Sequence, residues 1–153
     1  MPIKKSQESS IDISKPDVIH IFTDGACSGN PGPAAWGAVL IFNKHIKEFS
    51  EFIGDATNNI AELTAIKNAL EKVTKHNIPV RVYVDSDYSI GVLTKDWKVK
   101  ANRKLVLEIK KLINSFNDIT FYKVKGHTGI EFNERADQLA CLAIKQHQDA
   151  YLM

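Results

Sequence analysis

The sequence has few of the residues that define several structural classes. Its 153 residues include only two cysteines, Cys27 and Cys141, and these have neither metal-ligand spacing nor the density of a disulfide framework. No apolar run reaches the length of a membrane span, and the first residues, MPIKKSQESSIDISKPD, lack the apolar core of a signal peptide. These features predict a cytoplasmic location and no membrane partner.

Neither charge nor composition is extreme. The net charge is +2, and the fractions of apolar (44%) and charged (25%) residues are those of a globular protein, which excludes disorder and a coiled coil. A mildly basic chain permits a nucleic-acid partner without requiring one. We expect a monomer with one domain over residues 17–148, a disordered polar tail over 1–16 and a C-terminal tail over 149–153.

The hydrophobic periodicity alternates between that of strands and that of helices. A short link between the second and third strands, Asn43 to Ile46, predicts an antiparallel hairpin. The pattern therefore predicts an α/β domain with a mixed sheet, in which the hairpin lies beside parallel strands. The predicted strands are 18–24, 34–42, 47–53, 80–85 and 119–124. A first helix is predicted to start near residue 57, and three more are predicted over 86–94, 102–115 and 131–147.

Four acidic residues occupy positions that suggest a shared site. Asp24 ends the first strand and Asp85 ends the fourth, and the carboxyl ends of such strands meet at the usual ligand crevice of open α/β sheets. Glu62 and Asp137 fall on helix faces that are otherwise apolar. A carboxylate on an apolar face costs free energy unless its charge is compensated, so both acids indicate a function.

Each acid also has an ordinary structural interpretation. Asp24 is followed by Gly25 and is compatible with a turn, and Asp85 is compatible with an N-cap of the next helix. Glu62 follows Asn59 at the spacing of a capping box, and Asp137 is compatible with the edge of a buried stripe. Taken singly, these interpretations are at least as good as a site, but the four acids together favour a site.

Four motifs carry a resemblance to a known family. They are TDGACSGNPGPAAWG at 23–37, TNNIAEL at 57–63, VDSDY at 84–88 and KGHTGIEFNERADQLA at 125–140. In this order and spacing the sequence resembles a type 1 ribonuclease H from about residue 18 to about residue 146. The resemblance implies a single-domain ribonuclease-H-like fold with a five-stranded mixed sheet and helices on both sides.

The resemblance also implies an activity and its residues. The family's four metal-binding carboxylates correspond to Asp24, Glu62, Asp85 and Asp137, and its mobile histidine corresponds to His127, which is otherwise compatible with a surface loop. The implied reaction is endonucleolytic hydrolysis of the RNA strand of an RNA/DNA hybrid, leaving 5′-phosphate and 3′-hydroxyl ends. It uses two Mg²⁺ ions about 4 Å apart, with Mn²⁺ as a substitute, and Asp24 is expected to bridge both.

Five further residues correspond to substrate contacts of the family. The resemblance implies that the amides contact the RNA strand and the flanking DNA, because amides donate to and accept from hydroxyls, and that Thr57 lies in a pocket for a DNA phosphate. Turn formation and helix capping are the alternative roles for residues of these types. The predicted substrate-binding residues are Asn30, Thr57, Asn58, Asn59 and Asn102.

Two features depart from the bacterial members of the family. The segment KDWKVKANRK (95–104) is too short for their basic protrusion but still concentrates cations around Trp97, and Asp87 stands where they often have Gln. Phosphate steering and a merely solvated loop are both compatible with that segment. A related DNA nuclease of the resolvase type and a non-catalytic hybrid-binding module are the alternative functions.

Overall fold

The computed structural model describes residues 3–4, 12–124 and 131–152. Within these ranges the chain forms a sheet of order β1-β6-β5-β2-β3-β4 and four α-helices. The strands are β1 (Ile3–Lys4), β2 (Ile19–Cys27), β3 (Gly32–Phe42), β4 (His45–Ala56), β5 (Val80–Val84) and β6 (Ile119–Lys123), and the helices are α1 (Asn58–Glu71), α2 (Asp87–Thr94), α3 (Arg103–Asn114) and α4 (Glu131–Leu152).

The sheet is mixed, as predicted. Strands β2, β3 and β4 are antiparallel neighbours, whereas β2, β5 and β6 run parallel to one another. These five strands confirm the predicted sheet, and the two residues of β1 pair in parallel with β6 at its outer edge. The hairpin between β3 and β4 is tighter than expected, because the ladder continues to the pair of Phe42 and His45.

The helices cover both faces of the sheet. Leu63 and Ile66 of α1, Ile90 of α2 and Ile109 of α3 pack with one face in the larger hydrophobic core. Helix α4 packs on the opposite face, where its Leu139 joins a second cluster. This arrangement confirms the predicted layers and brings α1 and α4 to opposite sides of the central strand β2.

Two helix ends differ from the predictions. Helix α1 is capped by Thr57, whose hydroxyl accepts a hydrogen bond from Ile60 N at 3.2 Å, so the predicted capping box between Asn59 and Glu62 is wrong. The hydroxyl of Thr57 supplies the cap, which leaves Asn59 inside the first turn. Helix α4 continues beyond its predicted end at residue 147 to Leu152. No helix within the described ranges combines the length and the apolar character that crossing a membrane requires.

Candidate active site

The first acid, Asp24, lies on the central strand of the sheet. It pairs across the β2–β3 ladder with Gly37, and side-chain alternation gives it the same face as Phe22, which packs in the cluster under α4. The backbone N–H of Gly25 donates to Asp24 Oδ1 at 3.0 Å. Asp24 therefore belongs to a continuous strand, and its interpretation as a turn residue is wrong.

Helix α1 reaches the sheet through Gly25. A Cβ atom on Gly25 would lie 2.4 Å from the carbonyl carbon of Ala61 and 2.5 Å from Glu62 N, so only glycine permits the backbones to approach this closely. The contact falls at the residue after Asp24. It therefore fixes Glu62 beside the strand that carries Asp24.

Helix α4 makes a comparable contact on the other side. A Cβ atom on Gly37 would lie 2.2 Å from Ala136 O and 2.9 Å from Ala140 N. Because Gly37 is the ladder partner of Asp24, the helix turn that carries Asp137 lies against the same part of the sheet. Helices α1 and α4 thus both contact the sheet beside Asp24, which brings Glu62 and Asp137 close to it.

The three carboxyl groups brought together here interact directly. Burial, followed by the charge of Glu62 and hydrogen bonds to Glu62 and Asp137, raises the pKa of Asp24 to about 10. Burial also raises the pKa of Glu62, against the opposing effect of its hydrogen bond with Asp24. Because clustered carboxylates do not all ionise, these acids share protons when no counter-ion neutralises them.

The fourth acid, Asp85, follows β5 and has a basic neighbour. The N-cap of α2 is Ser86, whose hydroxyl accepts from Ser89 N at 3.1 Å, so the interpretation of Asp85 as the cap is wrong. Lys123 Nζ lies 3.4 Å from Asp85 Oδ1 and also donates to the carbonyl oxygen of Asp85. The negative charge of Asp85 also contributes to the raised pKa of Glu62, which places Asp85 at the edge of the cluster.

The chemistry of the cluster suits a hard cation. Its ligands are all carboxylate oxygens, which Mg²⁺ prefers, and Glu62 Oε2 is fully buried with no hydrogen-bond partner among the described residues. Within residues 12–124 and 131–152, however, no three acidic, histidine or cysteine side chains are already arranged to hold a metal ion. The carboxyl groups interact with one another, and Asp85 also pairs with Lys123. A cation that binds here must therefore displace the shared protons and the ammonium group of Lys123.

The four predicted acids differ in exposure. The carboxylate of Glu62 is largely buried, as its apolar helix face predicts, whereas Asp137 is exposed at the border of the α4 stripe, between buried Ala136 and Leu139. The expectation of an apolar surrounding for Asp137 is therefore wrong, and the alternative interpretation as an edge residue describes its position. His127 lies outside the described residues.

The predicted substrate-binding residues form two groups. Asn30 Oδ1 accepts from the backbone N–H of Asn58 at 3.0 Å, which joins the glycine-rich loop to the exposed start of α1, where Thr57 and Asn59 also lie. Asn102 lies instead before α3, where its amide donates to the hydroxyl of Tyr88 at 3.3 Å. Asn30 thus connects the glycine-rich loop to α1 through its side-chain oxygen.

Two features of the surface were not predicted from the sequence. Lys123 is the last residue of the largely apolar strand β6. Its contact with Asp85 depends on the pairing of β5 with β6, which a single sequence does not reveal. A groove of about 510 Å³ also runs beside α3, and one of its cations, Lys110, lies six residues beyond the basic segment 95–104. Its lining residues are Lys98, Val99, Lys100, Arg103, Val106, Leu107 and Lys110.

Comparison with known protein families gives a match over most of the chain. The family model described as RNase H matches residues 16–145. The chain is 42% identical over 141 residues to a ribonuclease H of Syntrophomonas wolfei, an alignment that covers 83% of this chain and 96% of that protein. It is 41% identical over 143 residues to a ribonuclease H of Acetivibrio thermocellus, covering 84% and 96% of the two chains.

Solved structures give the same result. The fold is similar to that of RNase H1 from the halophilic archaeon Halobacterium salinarum, with a TM-score of 0.75, 35% identity and coverage of 84% of this chain and 98% of that one. It is also similar to LC11-RNase H1 in complex with an RNA/DNA hybrid, with a TM-score of 0.73, 30% identity and coverage of 85% and 99%. The sequence relatives and the similar solved structures thus cover nearly the same share of this chain, 83–84% and 84–85%.

Proposed function

Because this chain belongs to the ribonuclease H family, we propose that it is an endoribonuclease that hydrolyses the RNA strand of RNA/DNA hybrids. The observation that carries this proposal is the convergence of Asp24, Glu62 and Asp137 at one place on the sheet. Acidic side chains that share protons when no cation is bound can bind divalent cations in place of those protons. Bound divalent cations in turn attract the negatively charged phosphates of a nucleic acid. The relative solved with a bound hybrid supports the same substrate.

The proposed metal ligands are Asp24, Glu62, Asp85 and Asp137. The cofactor is Mg²⁺, as two ions, with Mn²⁺ as a substitute; bound there, these ions supply an activated water molecule for in-line attack and stabilise the departing 3′-oxygen. Asp24 would be the central ligand of the set, because it interacts with both Glu62 and Asp137. Glu62 contributes a buried oxygen whose desolvation a cation offsets.

The substrate is recognised on both sides of this cluster. We assign Asn30, Asn58 and Asn59 to contacts with the RNA strand and the flanking DNA, because Asn30 and Asn58 are joined by a hydrogen bond and Asn59 is adjacent to them. The side chain of Asn30 is held by its oxygen, which leaves its two amide protons for a ribose hydroxyl or a phosphate. Thr57 is assigned to a DNA phosphate beside the N-terminus of α1, where backbone N–H groups favour anions.

The basic groove extends the proposed interface toward α3. Its four cations are suited to the phosphates of the hybrid, and the apolar residues Val99, Val106 and Leu107 line it between them, which distinguishes it from a merely solvated loop. Asn102 lies between Lys100 and Arg103 in sequence, which supports its assignment to a second phosphate contact. The groove is thus proposed to replace part of the missing basic protrusion.

Some assignments rest on the family resemblance alone. His127 is proposed to move a proton or assist product release, since imidazole titrates near neutral pH. The catalytic domain is proposed to span residues 17–148 of a monomer. A cytoplasmic location is also proposed, and the free state of Cys27 and Cys141 is compatible with it.

A panel of substrates tests the proposed function. The protein is incubated with an RNA/DNA hybrid, duplex RNA, duplex DNA and both single strands, with and without Mg²⁺, and each strand is labelled separately. We expect Mg²⁺-dependent cleavage of the RNA strand of the hybrid, with 5′-phosphate and 3′-hydroxyl ends. Equal cleavage of duplex DNA would favour the resolvase type of nuclease, and binding without cleavage would favour a hybrid-binding module.

A further inference from the structure

The ammonium group of Lys123 lies between two carboxylates at the edge of the acidic cluster. Its Nζ atom is 3.4 Å from Asp85 Oδ1 and 3.4 Å from Asp87 Oδ1. Only 16% of the Lys123 side chain is exposed, compared with 43% for Asp85 and 80% for Asp87. The buried member of this triad is thus the cation, and its most exposed member is Asp87.

The backbone fixes the position of Lys123. Lys123 pairs in register with Val84 at the end of β5, and its ammonium group also donates to the carbonyl oxygen of Asp85. Asp87 is the first residue of α2, which Ser86 caps. All three residues therefore lie where β5, β6 and α2 adjoin, which keeps the ammonium group of Lys123 close to both carboxylates.

This arrangement conflicts with cation binding at Asp85. A lysine ammonium group and a divalent cation compete for the same carboxylate, and they repel each other strongly at short range in a partly buried site. If Lys123 had Asp85 as its only carboxylate partner, metal binding would leave a largely buried ammonium group with its charge uncompensated. Such a group is costly, so the metal affinity would be low.

We infer that Lys123 and Asp87 together set the cation affinity of Asp85. Lys123 lowers this affinity by competing for the carboxylate, and Asp87 retains the ammonium group when Asp85 turns toward the cation. Asp87 therefore acts through Lys123, and both are positioning residues. The inference rests on the proposed function only in taking Asp85 as a metal ligand.

The two residues have opposite expected effects on Mg²⁺ binding. Isothermal titration with MgCl₂ at constant ionic strength, in the absence of nucleic acid, gives the dissociation constant directly. We expect Lys123→Met to bind Mg²⁺ about fivefold to tenfold more tightly, because a competing charge is removed. We expect Asp87→Asn, which is nearly isosteric, to bind about threefold more weakly, because Lys123 then depends on Asp85 alone. Lys123→Arg keeps the charge and should remain near the wild-type affinity.

The double variant separates this inference from a simple charge effect. If Asp87 acts through Lys123, the substitution Asp87→Asn has almost no effect in the Lys123→Met background. An equal weakening in both backgrounds shows that Asp87 attracts Mg²⁺ directly, and it overturns the inference. Unchanged or weaker binding by Lys123→Met also overturns it. Urea unfolding checks that each variant is folded, and Lys123→Gln replaces Lys123→Met if the latter does not fold.

The same titrations distinguish a failure of the inference from a failure of the proposed function. Wild-type protein that binds Mg²⁺ and loses this binding in Glu62→Gln has the proposed cation site. Unaltered binding in the Lys123 and Asp87 variants then contradicts only the inference. Wild-type protein that binds no Mg²⁺ and cleaves no hybrid contradicts both.

Discussion

The carboxyl groups of Asp24 and Glu62 lie close enough together for the charge of Glu62 to raise the pKa of Asp24, although one lies on the central strand and the other on α1. The close contact between Gly25 and the backbone of α1 makes this pair possible. A pair of buried acids destabilises a fold unless protons or cations neutralise it. The stability of the protein should therefore report on the state of its site.

The first prediction concerns stability at different pH values in the absence of metal ions. The pKa of Asp24 is raised from 3.8 to about 10 in the folded protein. The folded state thus keeps a proton that the unfolded state releases above about pH 4, so this contribution to stability is complete below that pH and is lost as the pH rises toward 10. Asp24→Asn cannot lose this proton, and its stability relative to wild type should increase with pH.

Urea unfolding in a chelating agent measures this difference. Between about pH 5 and about pH 9 we expect the stability of Asp24→Asn relative to wild type to rise by several kcal/mol, at up to about 1.4 kcal/mol per pH unit for a single proton. Comparing the two proteins at each pH cancels the titration of groups that they share, such as Glu48 beside Arg135. A constant difference across this range would show that Asp24 has an ordinary pKa and that the carboxyl groups do not share protons.

The second prediction concerns the contact between α4 and the sheet. Gly37→Ala places a methyl group where Ala136 O now lies, so the helix must move away. We expect a loss of about 1–3 kcal/mol in the free energy of unfolding, the usual effect of overpacking. Ser50→Ala is the matched control, because Ser50 is the ladder partner of Gly37 on β4 and is exposed. Equal stability of the two variants would contradict the close packing of α4.

The third prediction concerns the basic groove. Lys98→Ala combined with Lys100→Ala removes two of its cations, and we expect weaker binding of the hybrid with a shallower dependence on salt, by about one unit of log–log slope per lost phosphate contact. Fluorescence anisotropy at several salt concentrations, in the inactive Asp24→Asn background, measures both quantities. Lys44→Ala, in the exposed β3–β4 turn, is the control. An equal change of slope in the control would exclude a specific groove.

The fourth prediction concerns the connector between the glycine-rich loop and α1. Asn30→Asp keeps the oxygen that accepts from Asn58 N but loses the amide protons and adds a negative charge. We therefore expect an unchanged unfolding midpoint and at least about tenfold weaker binding of the hybrid, a difference of about 1.4 kcal/mol. Binding as tight as that of wild type would remove Asn30 from the substrate interface and leave it only its structural role.

Much of the fold follows from local patterns in the sequence. Alternating apolar residues located the strands, and helical spacing located α1 and α4, because each element must bury one face against the sheet. The cap of α1 was misplaced, since Thr57 and Asn59 are both capping types and only the backbone geometry decides between them. The exposure of Asp137 likewise depends on how α4 rests on Gly37, which the helical pattern alone does not determine.

The acids themselves were identified from the sequence, but their neighbours were not. The sequence pattern places Asp24 and Asp85 at the ends of two strands, which is correct for Asp85, whereas β2 continues past Asp24 to Cys27. The contact of Lys123 with Asp85 and Asp87 depends on the β5–β6 register, so a single lysine in an apolar strand gives no signal of it. Long-range pairing is thus the information that the sequence patterns lacked.

We propose that Asp24 is the central member of a carboxylate cluster that binds the cations needed to hydrolyse the RNA strand of a hybrid. Single-turnover cleavage of an end-labelled RNA strand in a hybrid, measured across Mg²⁺ concentrations for wild type and Asp24→Asn, tests it most directly. We expect saturable Mg²⁺-dependent cleavage by wild type and a loss of about a thousandfold or more in the folded variant, since a metal ligand contributes several kcal/mol to the stabilisation of the transition state. Comparable cleavage by Asp24→Asn, or cleavage by wild type that is independent of Mg²⁺, would show that Asp24 does not hold a catalytic cation.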